Sequence, residues 1–231
     1  MDCTEAVYSN DYYDLIIGTG DRRERFELPP CVQEIDNRYL VGFWEREGLP
    51  SLTVTNYMYT TIPKLFTTLD ELAMEASGIL PIQNQPALAL KGQGVLVGII
   101  DTGIDYQNLV FRNSDGTTRI AAIWDQTLRE GPPPRGFLYG TEFREDRINE
   151  ALASAAPLAV VPSEDRNGHG TYVASLAAGG ADPQQSFIGA APFARIAVVK
   201  LKEAKEYLRE FFFVREDAAA FQENDIMAGI M

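Results

Sequence analysis

The chain has 231 residues, 45% of them apolar and 23% charged, which excludes wholesale disorder or a fibrous fold and suits one large domain or two small ones. Thirty-three acidic residues against twenty basic ones leave a formal charge of −13, which disfavours nucleic acid or an anionic membrane as a partner, since both reward clustered Lys and Arg. No run of apolar residues is long enough to encode a helical span of a bilayer.

The chain opens Met1-Asp2-Cys3-Thr4-Glu5, acidic where a secretory leader would be basic and then apolar, so the expected location is cytoplasmic. Two cysteines, Cys3 and Cys31, are too few to staple a chain of this size and fit a reducing compartment. Residues 12–17 and 39–44 are aromatic and β-branched and read as short strands. Residues 52–59 alternate in part with period two, the pattern of a half-buried strand. Residues 68–76 read as a short helix, with Thr68 as cap, Glu71 three positions later and Gly78 just past the end. Residues 1–76 therefore form a small α/β module, and Pro81 and Pro86 punctuate the passage out of it.

From residue 92 the pattern becomes alternating strand and helix. Residues 95–100 are continuously apolar, as in a parallel strand covered on both faces. Residues 119–124 and 196–201 read as two more strands, and 128–140, around Pro132-Pro133-Pro134, as loop. Residues 142–156 and 168–178 carry helix patterns, the second ended by Gly179-Gly180. A further helix opens at residue 224 and the sequence stops within it, so the α/β layer is expected to be incomplete and the chain truncated. The fold class is thus α/β, with residues 77–231 forming the second module.

Two places could carry chemistry. Asp101-Thr102-Gly103 follows directly on the strand 95–100, and the C-terminal tips of parallel strands are where open α/β sheets place reactive groups. The same residues also read as an Asx turn that closes the strand. The second place is His169, the single histidine of the chain, in Asn167-Gly168-His169-Gly170-Thr171-Tyr172-Val173-Ala174-Ser175. Glycines on either side allow close approach of backbone at a helix start. The helix dipole there disfavours the cationic imidazole and keeps it a base near neutral pH. A lone surface histidine capping a helix is the plainer reading of the same residues.

Together, Val97-Gly98-Ile99-Ile100-Asp101-Thr102-Gly103-Ile104-Asp105 and Asn167-Gly168-His169-Gly170-Thr171-Tyr172-Val173-Ala174-Ser175 resemble the aspartate and histidine motifs of the subtilisin-like serine proteases, the subtilases. Gly189-Ala190-Ala191-Pro192-Phe193-Ala194-Arg195-Ile196 with Val199-Lys200 resembles the segment that follows them. The resemblance covers residues 77–231. Within it, Gly92-Gln93-Gly94-Val95-Leu96, the loop 139–143 and residues 222–226 are most similar to the bacterial germination-protease branch, which implies a spore-associated location as the alternative to a cytoplasmic one. It implies a subtilisin-like parallel sheet with helices on both faces, and peptide or protein substrates. It further implies a mechanism in which His169 takes a proton from a serine while Asp101 orients and stabilises the imidazole. Residues 1–76 would then correspond to the prosegment of the family, the alternative being an ordinary extra domain.

The departures matter as much. The nucleophile of the family lies in a Gly-Thr-Ser-x-Ala-type motif well beyond the histidine, and here only Ser175 and Ser186 follow His169. Ser175 lies about two turns along the histidine's own helix, and Ser186 lacks the Gly-Thr context. The chain as it stands is expected to be inert: the front part of a longer protease that associates with its missing C-terminal half or with a related protease. The alternative is a pseudoprotease acting as a binding module. Tyr172 stands where many members carry a second histidine, outside the triad. Tyr106-Gln107-Asn108 replaces a His-Pro-Asp that can bind calcium in the family, so neither metal nor cofactor is expected. Two unrelated readings fare worse. Asp-Thr-Gly also marks aspartic proteases, but these are all-β and have no use for a glycine-flanked histidine. Gly92, Gly94 and Gly98 precede their strand with the wrong spacing for a dinucleotide site. Phe211-Phe212-Phe213 reads either as part of a cleft region or, preferably, as an apolar patch that packs on the missing half.

Overall fold

A computed structural model describes residues 3–18, 28–66, 90–182 and 187–231. In chain order the elements are α1 (Cys3–Tyr8), β1 (Tyr12–Gly18), β2 (Cys31–Glu34), β3 (Tyr39–Glu45), β4 (Leu65–Phe66), β5 (Leu96–Asp101), β6 (Ile120–Asp125) and β7 (Thr141–Arg144). There follow α2 (Glu145–Ala153), α3 (Pro157–Val160), α4 (His169–Ala178), β8 (Arg195–Lys200), α5 (Glu206–Phe211), β9 (Phe221–Gln222) and α6 (Glu223–Ile230). None of the described helices is long and apolar enough to cross a membrane. The chain divides into two compact units: residues 1–67, 129–140 and 202–231 form one, and residues 68–128 and 141–201 the other. Two segments expected in the second module, 129–140 and 202–231, thus cluster with the N-terminal residues. The expected boundary at residue 76, like the expected helix over 68–76, lies outside the described residues.

In the N-terminal unit, β3 is the centre of an antiparallel sheet ordered β1-β3-β2, with Leu15 opposite Gly42 and Gln33 opposite Val41. Strands β1 and β3 arise where aromatic and β-branched residues cluster, as read from the sequence. The expected strand over 52–59 is absent. Asn56 and Tyr57 instead turn back onto the Thr53 carbonyl, and Tyr59–Thr61 forms a single 3-10 turn. The Thr53 hydroxyl accepts from the Asn56 amide as well, the local competition by which Thr and Asn break a strand. Tyr13, Leu15, Ile62, Tyr207 and Leu208 form the apolar core of this unit, with Phe211 and Phe212 packed against it. Phe213 is 93% exposed, so only the last ring of the phenylalanine cluster stands out as a patch.

Charged groups are buried in the same unit. The Lys205 ammonium pairs with the fully buried Asp14 carboxylate and donates to the Ala6 carbonyl at 2.8 Å. Lys202 lies 2.7 Å from Asp225, whose other oxygen accepts from the Tyr139 hydroxyl at 2.9 Å. Burial pushes the Asp225 carboxyl up despite that lysine, and pulls Lys205 down despite Asp14. Cys3 and Cys31 form a disulfide that links α1 to β2. The cysteines read as too few to staple the chain do bridge: antiparallel pairing and the short first helix bring their α-carbons to 5.3 Å, within bridging range. The staple is local, closing one edge of one unit.

The second unit is an α/β layer with strand order β5-β8-β6-β7. The first three strands run parallel, and β7 lies antiparallel to β6. Residues 142–156, expected as one helix, split into β7 and α2: Phe143 pairs opposite Ile123 before the helix begins. Strand β5, at the sheet edge beside β8, is not covered on both faces as expected: Ile99 is 5% exposed, whereas Leu96, on the opposite face, is 59% exposed. The core gathers Ile99 of β5, Ile120 and Ile123 of β6, Ile196 and Val198 of β8, and Ile148 of α2. Helix α4 packs against β5 and β8 through Gly170, Ala174 and Ala178, a stripe at every fourth residue that is buried throughout. At its far end, the buried Arg119 side chain donates to the carbonyls of Ala178 (2.6 Å), Ala194 (2.8 Å) and Val110. A cation there suits the negative end of the helix dipole.

Candidate active site

Asp101 is the last residue of β5, and its neighbour across the parallel ladder is Lys200 of β8. The Leu201 amide donates to the Asp101 carbonyl at 2.9 Å, so the ladder fixes the backbone at the strand tip. Thr102 then leaves the strand, its amide donating to Asp101 Oδ1 at 2.7 Å, a bond to the next residue and not the bond two residues on that defines the Asx turn read from the sequence. Gly103 follows at φ +128°, a conformation L side chains rarely adopt.

His169 is the first residue of α4, preceded by Gly168 in the left-handed region at φ +84°. A Cβ at Gly170 would overlap the Gly103 carbonyl, so glycine at both positions is what lets the helix start reach the strand tip. As a result, two residues 68 apart in sequence meet: His169 Nδ1 lies 2.9 Å from Asp101 Oδ1 and 3.1 Å from Oδ2. The carboxylate accepts, so Nδ1 is the nitrogen that carries the proton, and Nε2 of the same ring is left basic. The side chains are 12% and 20% exposed, sheltered enough to strengthen the pair yet open to a reactant. The carboxylate also counters the helix dipole, which alone would oppose charge on the ring.

A third group ties the two segments together. Asp165 Oδ1 accepts from the Thr102 hydroxyl (2.8 Å) and the Gly168 amide (2.9 Å). Its Oδ2 accepts from the Thr171 amide (2.8 Å) and hydroxyl (2.6 Å). The Gly170 amide donates to Thr102 Oγ1 at 2.9 Å, and the Asp105 amide to Thr171 Oγ1 at 2.8 Å. Sequence reasoning passed over Asp165, Thr102 and Thr171 as site residues. The signal was an acid just ahead of a helix N-terminus with a threonine in its first turn, a capping pattern.

Two serines of this unit, Ser163 and Ser175, are directed elsewhere. Ser175 Oγ donates to the Thr171 carbonyl in its own helix at 2.7 Å, and Ser163 Oγ to the buried Asp125 at 2.7 Å. Ser186 lies outside the described residues. Asp125 stands level with Asp101 across the sheet but pairs with Lys200 at 3.3 Å, so the partner of Asp101 is an imidazole and not a second carboxylate. Asp105 and Asn108, in the loop after the strand, cap local turns through the amides of Gln107 and Val110. Among the described residues no group of three or more His, Cys, Asp or Glu side chains could hold a metal ion.

A family model described as the subtilase family matches residues 92–211, a span that holds both Asp101 and His169. The subtilisin-like protease SBT3.8 of Arabidopsis thaliana is 28% identical over 134 residues, 47% of this chain and 16% of the plant protein. The solved structure of the Clostridium perfringens CspB protease is similar at a TM-score of 0.53 and 33% identity. That likeness covers 68% of this chain and 28% of the clostridial one. The chain therefore spans less than a third of either relative's length.

Proposed function

The chain belongs to the subtilase family, and from that premise we propose that it supplies the acid–base half of a subtilisin-like serine endopeptidase. His169 is the general base toward a serine and Asp101 fixes its tautomer. The observation that carries this reading is the 2.9 Å contact from His169 Nδ1 to Asp101, which presents the opposite ring nitrogen for proton transfer.

In the proposed reaction, Nε2 of His169 takes the proton of the attacking hydroxyl and later returns it to the leaving amine. Asp101 stays ionised throughout and stabilises the imidazolium between those steps. The nucleophile and the donors to the tetrahedral oxyanion come from polypeptide beyond these residues, for the serines near the pair are bonded elsewhere. Alone, the chain does not cleave peptides.

The test has two arms. The isolated chain is exposed to a fluorophosphonate probe and is expected to take up none. Labelling lost on replacing a single serine would reveal a nucleophile in the chain. In a longer protein that joins these residues to the family's serine-bearing part, Asp101→Asn is expected to lower turnover by about 10⁴ and His169→Ala by about 10⁶, the sizes known for subtilisin and related triads. Wild-type turnover in both variants would refute the assignment.

A further inference from the structure

The contact between His169 and Asp101 joins a strand tip to a helix start across 68 residues of sequence. Its length depends on how those two backbones are held, for each side chain has few bonds of its own to rotate. The backbone links run through one carboxylate. On the helix side Asp165 takes the amides of Gly168 and Thr171, which flank His169 before and after. On the strand side it takes the hydroxyl of Thr102, the residue next to Asp101. That same hydroxyl oxygen accepts from the Gly170 amide, so the remaining neighbour of His169 is held at one remove. Thr171 Oγ1, itself donating to Asp165, receives the Asp105 amide and closes the loop back to the strand side.

A carboxylate has acceptor sites for all four of these donors and carries no hydrogen of its own when ionised. An amide in its place would turn an NH2 group toward at least one N–H or O–H. The bonds to Asp165 go to Thr102, Gly168 and Thr171, and through them it acts on the backbone that carries Asp101 and His169. We propose that Asp165 is the positioning residue of this site, an ionised clamp that sets the His169–Asp101 distance by binding both segments at once. The inference rests on the acid–base reading of that pair and deepens it. The clamp places a negative charge ahead of a ten-residue helix, where the dipole favours it.

His169 is the chain's single histidine, so its ring nitrogens can be followed by 15N NMR without ambiguity. In the wild-type chain the spectrum is expected to show the proton held on Nδ1. In Asp165→Asn, with the far-ultraviolet circular dichroism of a folded chain, that signature is expected to be lost, leaving the averaged tautomers also expected of Asp101→Asn. A folded Asp165→Asn that keeps the wild-type nitrogen pattern overturns the proposal while leaving the pair intact. A wild-type chain without the held Nδ1 proton overturns the acid–base reading itself. Should Asp165→Asn not fold, Thr171→Val decides: it removes the hydroxyl bond and keeps the carboxylate, and a nitrogen pattern shifted toward that of Asp101→Asn supports the clamp, whereas an unchanged one refutes it.

Discussion

Gly170 faces Gly103 so closely that a methyl group on it would overlap the Gly103 carbonyl oxygen and stand 2.9 Å from the Gly103 amide nitrogen. The neighbouring atoms are backbone and cannot swing aside, so the helix itself would have to retreat. Alanine improves intrinsic helix propensity over glycine by about 1 kcal/mol. Overpacking against rigid backbone costs about 1–3 kcal/mol, and here the second effect prevails. Gly170→Ala is expected to lower the urea midpoint of the chain and to lengthen the His169–Asp101 contact, seen as loss of the held Nδ1 proton. A midpoint raised by the substitution would show that α4 tolerates the shift.

The disulfide between Cys3 and Cys31 closes a loop with a sequence separation of 28. Constraining a loop of that length in the unfolded chain stabilises the fold by about 3–4 kcal/mol in the chain-entropy account. Reduction, or the pair Cys3→Ser and Cys31→Ser, is expected to destabilise the N-terminal unit by that order in urea titrations. The α/β unit that carries Asp101 and His169 does not contain the bridge, and its fold is expected to survive. Rapid maleimide labelling of both thiols in the native, unreduced chain would contradict the bridge.

What the sequence disclosed follows from how local each signal was. The strands at β1, β3, β5, β6 and β8 announced themselves through runs of β-branched and aromatic side chains, and α4 through its glycine boundaries. Residues 52–59 misled because their alternation is shared by a turn, and Thr53 and Asn56 decide for the turn through hydrogen bonds with no periodicity. Strand β7 was hidden inside a stretch of good helix formers, since Thr141 to Arg144 owe their extension to the partner strand β6. In the site, Asp101 and His169 were legible because each sits in a motif rich in glycine. Asp165 was not: its role exists only once Thr102, Gly168 and Thr171 converge on it. The burial of Lys202, Lys205, Asp14 and Asp225 was equally invisible, since charged residues are ordinarily read as surface.

The Lys202–Asp225 pair, at 2.7 Å with side chains 6% and 1% exposed, belongs to that hidden class. Removing one member of a buried ion pair strands the other without water, at a cost of about 3–5 kcal/mol. Replacing both with apolar residues of similar volume is often neutral, because the desolvation of two charges disappears with their attraction. Asp225→Leu alone is thus expected to destabilise the N-terminal unit severely, and Lys202→Met with Asp225→Leu to recover most of the loss. A double variant no better than the single one would mean that Tyr139, which donates to Asp225, depends on the carboxylate more than Lys202 does.

Asp165 makes a prediction in pH that is separate from its effect on the imidazole. Burial pushes its carboxyl up, but hydrogen bonds from Thr171, Gly168 and Thr102 outweigh it and hold the group below the ordinary value of 3.8. The folded chain therefore holds this proton less tightly than the unfolded one, and acid favours unfolding. The stabilisation is fully present above 3.8 and is lost as the pH falls through the lower, folded-state value. Urea midpoints of the α/β unit, followed through tryptophan Trp124 in β6, are expected to drop across that acid window in the wild-type chain. Asp165→Asn, which cannot titrate, is expected to start lower near neutral pH and to show a flatter acid limb. An identical acid limb in both proteins would show that the four hydrogen bonds to Asp165 do not distinguish its charged form from its neutral one.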